Sequence, residues 1–258
     1  MHEPTNILIT GASDGIGAAL AEEYAAADVT LMICARREDI LNAVGKKCRA
    51  KGATVVSQVM DVSNTPAMTA WVEKMDTAHP LDLVIANAGI SAGGDSTDTI
   101  AEHIEQVFAV NVQGVFNTVH PALPGMKKRG GGQIGIVSSV MGYAVFPRAT
   151  SYNTSKMTVK GYGEGLRGLV AKDNIKVSVI CPGYVRTPMT TSNEKIPVVF
   201  PIDADKAAVV IREGLAKNKG RIAFRKQHAF IMRTMQHLPY WLLDKMFTKY
   251  PQAEPKEA

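Results

Sequence analysis

Short apolar runs alternate with longer amphipathic stretches along most of this chain. The apolar runs are rich in Val, Ile and Leu and show little alternation, as is typical of strands buried on both faces. The stretches between them have the length and periodicity of helices. The pattern predicts strands at Asn6–Thr10, Val29–Ala35, Thr54–Val59, Leu83–Ala86, Gln133–Ser138, Ile175–Ile180 and Arg221–Phe224. It predicts helices over 15–27, 38–51, 65–78, about 98–128, 151–172, 203–218 and 227–249.

Alternation of strands and helices predicts an α/β domain. Such βαβ units make a parallel sheet, and right-handed crossovers wind it doubly, with helices on both faces. The 258 residues suffice for one core, so we expect a single domain, 1–258. Within it we expect a coenzyme and catalytic core at 1–187 and a helical C-terminal segment at 203–258. Three prolines interrupt 188–202, which we interpret as a mobile substrate flap; the alternative is a passive surface loop.

Composition narrows the class of protein. The chain is 46% hydrophobic and 21% charged, as in globular proteins, which argues against broad disorder. Its three cysteines lie far apart and its six histidines form no cluster, so we expect reduced thiols, a cytoplasmic protein and no metal site. The first residues lack a basic region, and no apolar run approaches the roughly 18–20 residues of a spanning helix, so we expect neither a signal peptide nor a membrane span.

The net charge of +5 comes from the C-terminal segment. Residues 205–258 carry 11 Lys/Arg against 5 Asp/Glu, whereas residues 1–204 carry 18 against 19. No nucleic-acid recognition motif accompanies this charge, so we expect no nucleic-acid partner. Aromatic and aliphatic residues are mixed with basic ones over 228–250. This pattern fits packing on the core, a contact in a homodimer or homotetramer, or peripheral contact with the inner face of a membrane.

A glycine-rich turn follows the first predicted strand. It reads Thr10-Gly11-Ala12-Ser13-Asp14-Gly15-Ile16-Gly17 and opens the first helix. Glycines permit a tight turn and close approach of the backbone to a pyrophosphate, and the helix N-terminus offers free N–H groups. A glycine triplet alone is weak support, but its place between the first strand and the first helix is the context that a dinucleotide site requires.

Several further motifs stand in order, each at an expected place in the pattern of strands and helices. They are Asp61-Val62, Asn87-Ala88-Gly89, Asn111, Ser139, the Tyr152–Lys156 pair, and Pro182-Gly183 with Thr187. With the T-G-x-x-x-G-I-G spacing, they resemble the short-chain dehydrogenase/reductase family over roughly residues 5–190. The resemblance implies a Rossmann fold and an oxidoreductase acting on carbonyl or alcohol groups. It implies coenzyme contacts from Gly11, Ser13, Asp14, Gly15, Ile16, Gly17, Asp61, Val62, Asn87, Ala88, Gly89, Tyr152, Lys156, Pro182, Gly183, Val185 and Thr187.

Two arginines favour NADP(H) as the coenzyme. A site for NAD usually has Asp or Glu about 20 residues after the glycine loop, where it holds the ribose 2′-hydroxyl. Here the second strand ends at Ala35-Arg36-Arg37. An arginine can bind a 2′-phosphate bidentately, so we predict Arg36 as the main anchor and Arg37 as the secondary one. The alternative for Arg37 is solvation beside Glu38.

Tyr152 and Lys156 lie four residues apart, so they share a helix face. A nearby ammonium lowers the pKa of a phenol, which lets Tyr152 exchange a proton with a substrate oxygen near neutral pH. Ser139 is predicted to bind that oxygen, with Ser138 as its rival. By resemblance Asn111 completes the catalytic group by holding a water; the alternative is an asparagine at a helix kink.

The predicted substrate residues are mostly apolar and favour a hydrophobic carbonyl or alcohol. They are Ser139, Met141, Phe146, Tyr184 and Met189. A non-catalytic NADP(H)-binding sensor or scaffold on the same fold is the second hypothesis. Degenerate catalytic positions would favour that hypothesis, but Asn111, Ser139, Tyr152 and Lys156 are all present.

Overall fold

A parallel β-sheet forms the centre of the molecule. The computed structural model describes residues 3–91, 100–144, 149–191, 201–224, 234–235 and 237–248. Its strands are β1 Asn6–Thr10, β2 Thr30–Ala35, β3 Thr54–Val59, β4 Leu83–Ala86, β5 Gly132–Val137, β6 Ile175–Cys181, β7 Val185–Arg186, β8 Ile202–Asp203 and β9 Arg221–Ala223. Within the described residues, seven of these form one sheet in the order β3-β2-β1-β4-β5-β6-β9, and all its pairings are parallel. The predicted doubly wound sheet is confirmed.

The strand order reverses between β1 and β4. From β1 the chain moves outward to β2 and β3, then returns to the other side of β1 for β4 and the strands that follow. The switch opens a crevice at the carboxyl ends of these two strands, where open α/β sheets bind their ligands. The glycine turn after β1 and the Asn87-Ala88-Gly89 motif after β4 both lie at this point.

Helices cover both faces of the sheet. They are α1 Gly15–Tyr24, α2 Glu38–Ala50, α3 Thr65–Ala78, α4 Ile100–Phe108, α5 Gly114–Val119, α6 Leu123–Arg129, α7 Thr150–Leu169, α8 Pro188–Thr191, α9 Ala204–Ala216 and α10 Tyr240–Phe247. Successive strand residues point to opposite faces. Ile7 and Ile9 of β1 therefore pack in the core under α1, α2 and α9, whereas Leu8 packs in the core under α3, α5 and α7.

The helical stretch predicted over about 98–128, disturbed by Pro121 and Pro124, is not one continuous element. It is divided into α4, a π-helical turn at Ala109–Gln113, α5, a 3₁₀ turn at His120–Ala122, and α6. Pro121 and Pro124 explain the later breaks, because each lacks the N–H that a continuous helix would use. The π-helical turn contains Asn111, and no proline causes it.

The two segments after the core are only partly described. The flap predicted over 188–202 begins with α8 and ends in the short parallel pair of β7 and β8, while residues 192–200 lie outside the described residues. Of the helix predicted over 227–249, the structure describes α10, and 225–233 lies outside the described residues. Among the helices that the structure describes, none is both long enough and apolar enough to cross a membrane.

Candidate active site

One cavity of about 380 Å³ lies along the carboxyl ends of the sheet strands. Most of the residues predicted from the motifs line it: Gly11, Ser13, Asp14, Gly15, Ile16, Arg36, Arg37, Asp61, Val62, Asn87, Ala88, Gly89, Ser139, Tyr152, Lys156, Pro182, Gly183, Val185, Thr187 and Met189. Gly17, Asn111, Met141 and Tyr184 do not line it, and Phe146 lies outside the described residues. Thus residues far apart in sequence share one cleft.

The glycine turn packs against the β4 motif so closely that side chains are excluded. Gly11 has φ +66°, and a Cβ there would lie 2.7 Å from the Cα of Ala88. A Cβ on Gly17 would lie 2.2 Å from the carbonyl oxygen of Gly11. The Asn87 amide donates to the carbonyl oxygens of Thr10 (2.9 Å) and Gly11 (3.1 Å). Gly17 therefore permits the tight packing of the turn, although it does not line the cavity.

The start of α1 faces the same cavity. The helix begins at Gly15, and Gly15 and Ile16 both line the cleft. The first N–H groups of a helix have no partner within it, and they carry the positive end of the helix dipole. This turn, with its bare glycine backbone, fits the pyrophosphate of a dinucleotide coenzyme.

Two arginines border the cleft beyond the turn. The Arg37 guanidinium donates to the Ser13 hydroxyl (3.2 Å) and pairs with Asp14, so it lies across the glycine turn, although its side chain is still 53% exposed. Arg36 is more exposed, and its Nη1 lies 3.7 Å from Oδ2 of Asp61. Sequence reasoning missed the contacts of Arg37, because they join positions 23 and 24 residues apart.

Asp61 is fixed in its charged form at the far end of the cleft. Partial burial acts to raise the pKa of its carboxyl group. Hydrogen bonds from the backbone and hydroxyl of Ser63, together with the charge of Arg36, outweigh this effect and hold the pKa below its ordinary value. Asp61 therefore stays ionised at neutral pH and orients Arg36.

The Ser139 hydroxyl lies close enough to the Tyr152 phenol to act on its pKa by hydrogen bonding. Ser139 also accepts a hydrogen bond from the Met141 N–H (3.1 Å), which fixes the serine at the end of β5. Tyr152 is partly exposed to the cavity, but the burial of its phenol raises the pKa above the ordinary value; the Ser139 bond acts in the opposite direction. Ser139, rather than Ser138, is thus the serine that contacts the tyrosine.

Lys156 reaches the same point from the next turn of α7. Its Nζ donates to the carbonyl oxygen of Val137 (3.0 Å) and lies 5.7 Å from the centre of the Tyr152 ring. Burial lowers the pKa of the Lys156 ammonium to about 8. Burial thus acts on both groups, raising the pKa of Tyr152 and lowering that of Lys156, and the expectation that the ammonium lowers the pKa of the phenol stays a prediction.

The Asn111 side chain is fully buried and is bonded through both of its polar atoms. Its Oδ1 accepts from the Ile90 N–H (2.7 Å), and its Nδ2 donates to the Ile90 carbonyl (3.0 Å) and the Ser155 hydroxyl (3.0 Å). These bonds tie the π-helical turn to the end of β4 and to α7. They account for an asparagine at a helix kink, and the water-holding role stays a prediction, since Oδ1 can accept a second hydrogen bond.

The predicted substrate residues have different positions. Ser139 and Met189 line the cavity, and Met189 is 41% exposed. Tyr184 lies near enough to Tyr152 that its charge acts to raise the pKa of that phenol. Met141 does not line the cavity, because it lies in the 3₁₀ turn beyond the strand end. Val110 also lines the cavity, but it was not predicted to do so. Its position next to the Asn111 motif could have indicated it.

Neither cysteine chemistry nor a metal centre is visible in the part of the chain that the structure describes. All three cysteines (Cys34, Cys48 and Cys181) are free and buried. Among the described residues, no group of three or more His, Cys, Asp or Glu could hold a metal ion. The ionisable groups that line the cleft near the strand ends of β5 and β6 are Tyr152 and Lys156.

The buried charge of Lys156 predicts a stability effect that depends on pH. Below pH 8 the folded chain holds an ammonium that the unfolded chain keeps in water, so folding is penalised. The penalty disappears as the pH rises from about 8 to the ordinary 10.5. We expect Lys156→Met to raise the free energy of unfolding by about 1–3 kcal/mol at pH 7 and to have little effect near pH 10.5. Urea unfolding at both pH values measures this; a less stable variant at pH 7 would contradict it.

Comparison with known proteins places the chain in a family. The sequence model described as short chain dehydrogenase matches residues 5–196. The chain belongs to this family, so the predicted membership is confirmed, and it is an oxidoreductase of the family's Rossmann fold.

Three known proteins illustrate the similarity. A dehydrogenase/reductase SDR family protein 7-like from Anopheles gambiae is 35% identical over 190 residues, which are 71% of this chain and 60% of that protein. An uncharacterized oxidoreductase from Myxococcus xanthus is 30% identical over 238 residues, which are 92% of this chain and 94% of that protein. The crystal structure of an actinorhodin polyketide ketoreductase with NADPH has a TM-score of 0.76 and 26% identity, covering 85% of this chain and 94% of that chain.

Proposed function

We propose that this protein is an NADP(H)-dependent reductase of carbonyl groups. The observation that carries the proposal is that Tyr152, Ser139 and Lys156 line the same cleft as the glycine turn. A phenol and a hydroxyl that converge on one point can bind one substrate oxygen. The polyketide ketoreductase noted above contains NADPH, which supports the same coenzyme here.

The two arginines support NADP(H) rather than NAD(H). In NAD sites an Asp or Glu at the end of the second strand holds the ribose 2′-hydroxyl. Here that position is the uncharged Ala35, which lines the cleft. Arg36 and Arg37 border the cleft at this point. Their guanidinium groups would bind a 2′-phosphate through charge-assisted hydrogen bonds. Asp61 and Asp14 hold the two arginines in position.

The proton chemistry belongs to the chain's own side chains. When bound, the coenzyme supplies the hydride for reduction or accepts it for oxidation. Tyr152 donates its phenolic proton to the carbonyl oxygen of the substrate and is the general acid. Ser139 donates a hydrogen bond to the same oxygen and stabilises its developing charge. The Lys156 ammonium, next to the Tyr152 ring, compensates the phenolate that remains.

The lining near Tyr152 favours an apolar substrate. Ile90, Val110 and Met189 line the cleft, and no Asp or Glu lines it near the strand ends of β5 and β6 in the described part of the chain. A hydrophobic ketone or aldehyde matches these surfaces, since apolar walls give no compensation for burying a charged group. We infer reduction as the working direction.

A coenzyme-oxidation screen tests the proposal. The intact protein is incubated with NADPH or NADH and a panel of hydrophobic ketones and aldehydes, and absorbance at the reduced nicotinamide band is followed. We expect oxidation of NADPH that depends on a carbonyl compound and is slower with NADH. Tight binding of NADPH without turnover of any panel member would favour the sensor or scaffold hypothesis instead.

We further propose that the protein forms a homodimer or homotetramer and that α10 contributes to the contact. Tyr240 and Trp241 at the start of this helix are 83% and 68% exposed, so they are not packed on the described core. Aromatic residues are enriched where proteins bind each other. An anionic membrane surface is the competing partner, because Lys245 lies on the same helix and residues 205–258 carry surplus positive charge.

Replacing both aromatic residues separates these partners. We expect the Tyr240→Ser/Trp241→Ser variant to form smaller species than the wild type in size-exclusion chromatography with light scattering, because apolar contact area is lost. Flotation with vesicles containing phosphatidylserine is measured in parallel. A monomeric wild type that floats, with a variant that does not, would assign the helix to the membrane; equal behaviour in both assays would remove α10 from either role.

A further inference from the structure

Two adjacent serines at the end of β5 have different partners. The Ser139 hydroxyl contacts Tyr152. The Ser138 hydroxyl is buried and donates to the backbone carbonyl oxygen of Lys156 at 2.7 Å. Although Ser138 borders the cleft, it is only 2% exposed and the proton of its hydroxyl is used within the fold. The sequence offers both serines for binding the substrate oxygen, whereas in the structure Ser139 lies beside Tyr152 and Ser138 binds the backbone of Lys156.

The C-terminal end of β5 and the residue that follows it bind Lys156 at both its backbone and its side-chain ammonium. Its backbone carbonyl accepts from Ser138, and its Nζ donates to the carbonyl oxygen of Val137 at 3.0 Å. Ser138 itself is fixed in the sheet, because its N–H donates to the Ile180 carbonyl oxygen at 2.8 Å. The end of β5 and the backbone of α7 together therefore fix the distance between the Lys156 ammonium and the strand.

Gly142 allows the helix to come this close. A Cβ at that position would lie 2.9 Å from both the Lys156 carbonyl oxygen and the Ser138 hydroxyl oxygen. Contacts below 3.0 Å force a backbone or a side chain to move. The 3₁₀ turn after the strand end therefore has no side chain at the point where Ser138 meets the helix.

We propose that Ser138 is a positioning residue that fixes how deeply the Lys156 ammonium is buried beside Tyr152. The catalytic meaning of this inference rests on the proposed reductase function. The positional claim itself rests only on the contacts of Ser138, Val137 and Gly142 with Lys156. Without the Ser138 hydroxyl, α7 is released from the strand end and the ammonium moves toward the water of the cleft.

The test measures Lys156 directly and needs no turnover. Acetic anhydride acylates only the neutral amine, so the pH dependence of acetylation at Lys156, read by mass spectrometry of the intact protein's peptides, gives its ionisation midpoint. We expect a wild-type midpoint near 8, because burial lowers the pKa of Lys156 to about 8. In Ser138→Ala we expect the midpoint to rise by about 0.5 unit or more, because the ammonium gains water.

Ser178→Ala is the matched control. Ser178 lies on the neighbouring strand β6 and is fully buried, and its hydroxyl has no hydrogen-bond partner. The substitution thus also removes one buried hydroxyl from a central strand. We expect the Ser178→Ala midpoint to equal that of the wild type. An equal rise in both variants would mean that general loosening of the core moves Lys156, and it would overturn the inference.

A second variant breaks the same contact by insertion. Gly142→Ala places a methyl group 2.9 Å from both the Ser138 hydroxyl and the Lys156 carbonyl oxygen, which forces them to move, so we expect its midpoint to rise as in Ser138→Ala. If one variant fails to fold, as judged by thermal unfolding, the other decides. Folded variants that keep the wild-type midpoint would overturn the positioning role.

Turnover then separates this inference from the proposed function. If the wild type is active, we expect kcat/KM for NADPH to fall about tenfold in Ser138→Ala. We also expect the basic limb of its pH–rate profile to move to higher pH by the same amount as the acetylation midpoint of Lys156. A raised labelling midpoint in a protein that reduces no carbonyl would leave the positioning role intact and reject the reductase function. An active reductase whose Ser138→Ala variant keeps the wild-type midpoint would support the reductase function and reject the positioning role of Ser138.

Discussion

Tyr152→Phe is expected to lower kcat for carbonyl reduction by about 10²–10⁴-fold. The substitution removes the phenolic proton and the hydroxyl that bonds to Ser139, but it keeps the ring beside Lys156. The glycine turn and the arginines are untouched, so we expect the dissociation constant of NADPH to change little. Single-turnover kinetics and NADPH fluorescence titration measure the two quantities separately.

Tyr162→Phe provides the control on the same helix. The Tyr162 hydroxyl is buried and has no hydrogen-bond partner, so phenylalanine loses no contact there. We expect wild-type kcat in this variant, with unchanged or slightly higher stability, because an unsatisfied buried hydroxyl is costly. Equal activity of Tyr152→Phe and the wild type would reject the proton-transfer role of Tyr152.

Removing an arginine at the end of β2 is expected to weaken the preference for NADPH. A charge-assisted hydrogen bond contributes about 1.5–3 kcal/mol, so Arg36→Ala should raise the dissociation constant of NADPH by about 10–100-fold. The dissociation constant of NADH should change little, since NADH carries no 2′-phosphate. Arg37→Ala should act in the same direction, with an added effect on the glycine turn because Arg37 contacts Ser13 and Asp14.

Arg49→Ala on α2 is the matched control, because it removes an arginine whose guanidinium bonds to the Val55 carbonyl away from the cleft. We expect its NADPH affinity to equal that of the wild type. Titrations of all three variants with both coenzymes, at one salt concentration, decide the assignment. If only Arg37→Ala weakens NADPH binding, Arg37 is the main anchor; if neither does, the choice of NADP(H) is wrong.

The fold could be predicted closely because its signals are local. Asn6–Thr10, Thr54–Val59 and Leu83–Ala86 were predicted with the bounds that the structure has, since apolar runs between turn signals mark buried strands directly. The convergence of the strand-end motifs also followed from the sequence. In a parallel sheet all carboxyl ends lie on one edge, so motifs placed there must share a cleft.

What the sequence did not predict depends on contacts between distant elements. The π-helical turn at Asn111 exists because this side chain bonds to Ile90 and Ser155, residues 21 and 44 positions away. The ionisation of Lys156 depends on how deeply it is buried, and spacing on a helix carries no information about depth. The sequence pattern therefore indicates a candidate catalytic group, whereas the pKa values of its members depend on the packed structure.

The cleft draws on the ends of six parallel strands, from Gly11 after β1 to Pro182 after β6. A slip of one residue in any of these ladders would turn a strand's side chains to the opposite face. A coenzyme that binds there recognises only chains whose whole sheet has formed in register, and at 100 times its dissociation constant it stabilises them by about 2.7 kcal/mol. If the proposed function holds, such a coenzyme would bind only correctly folded chains, and its concentration would help to set how much of the protein stays native.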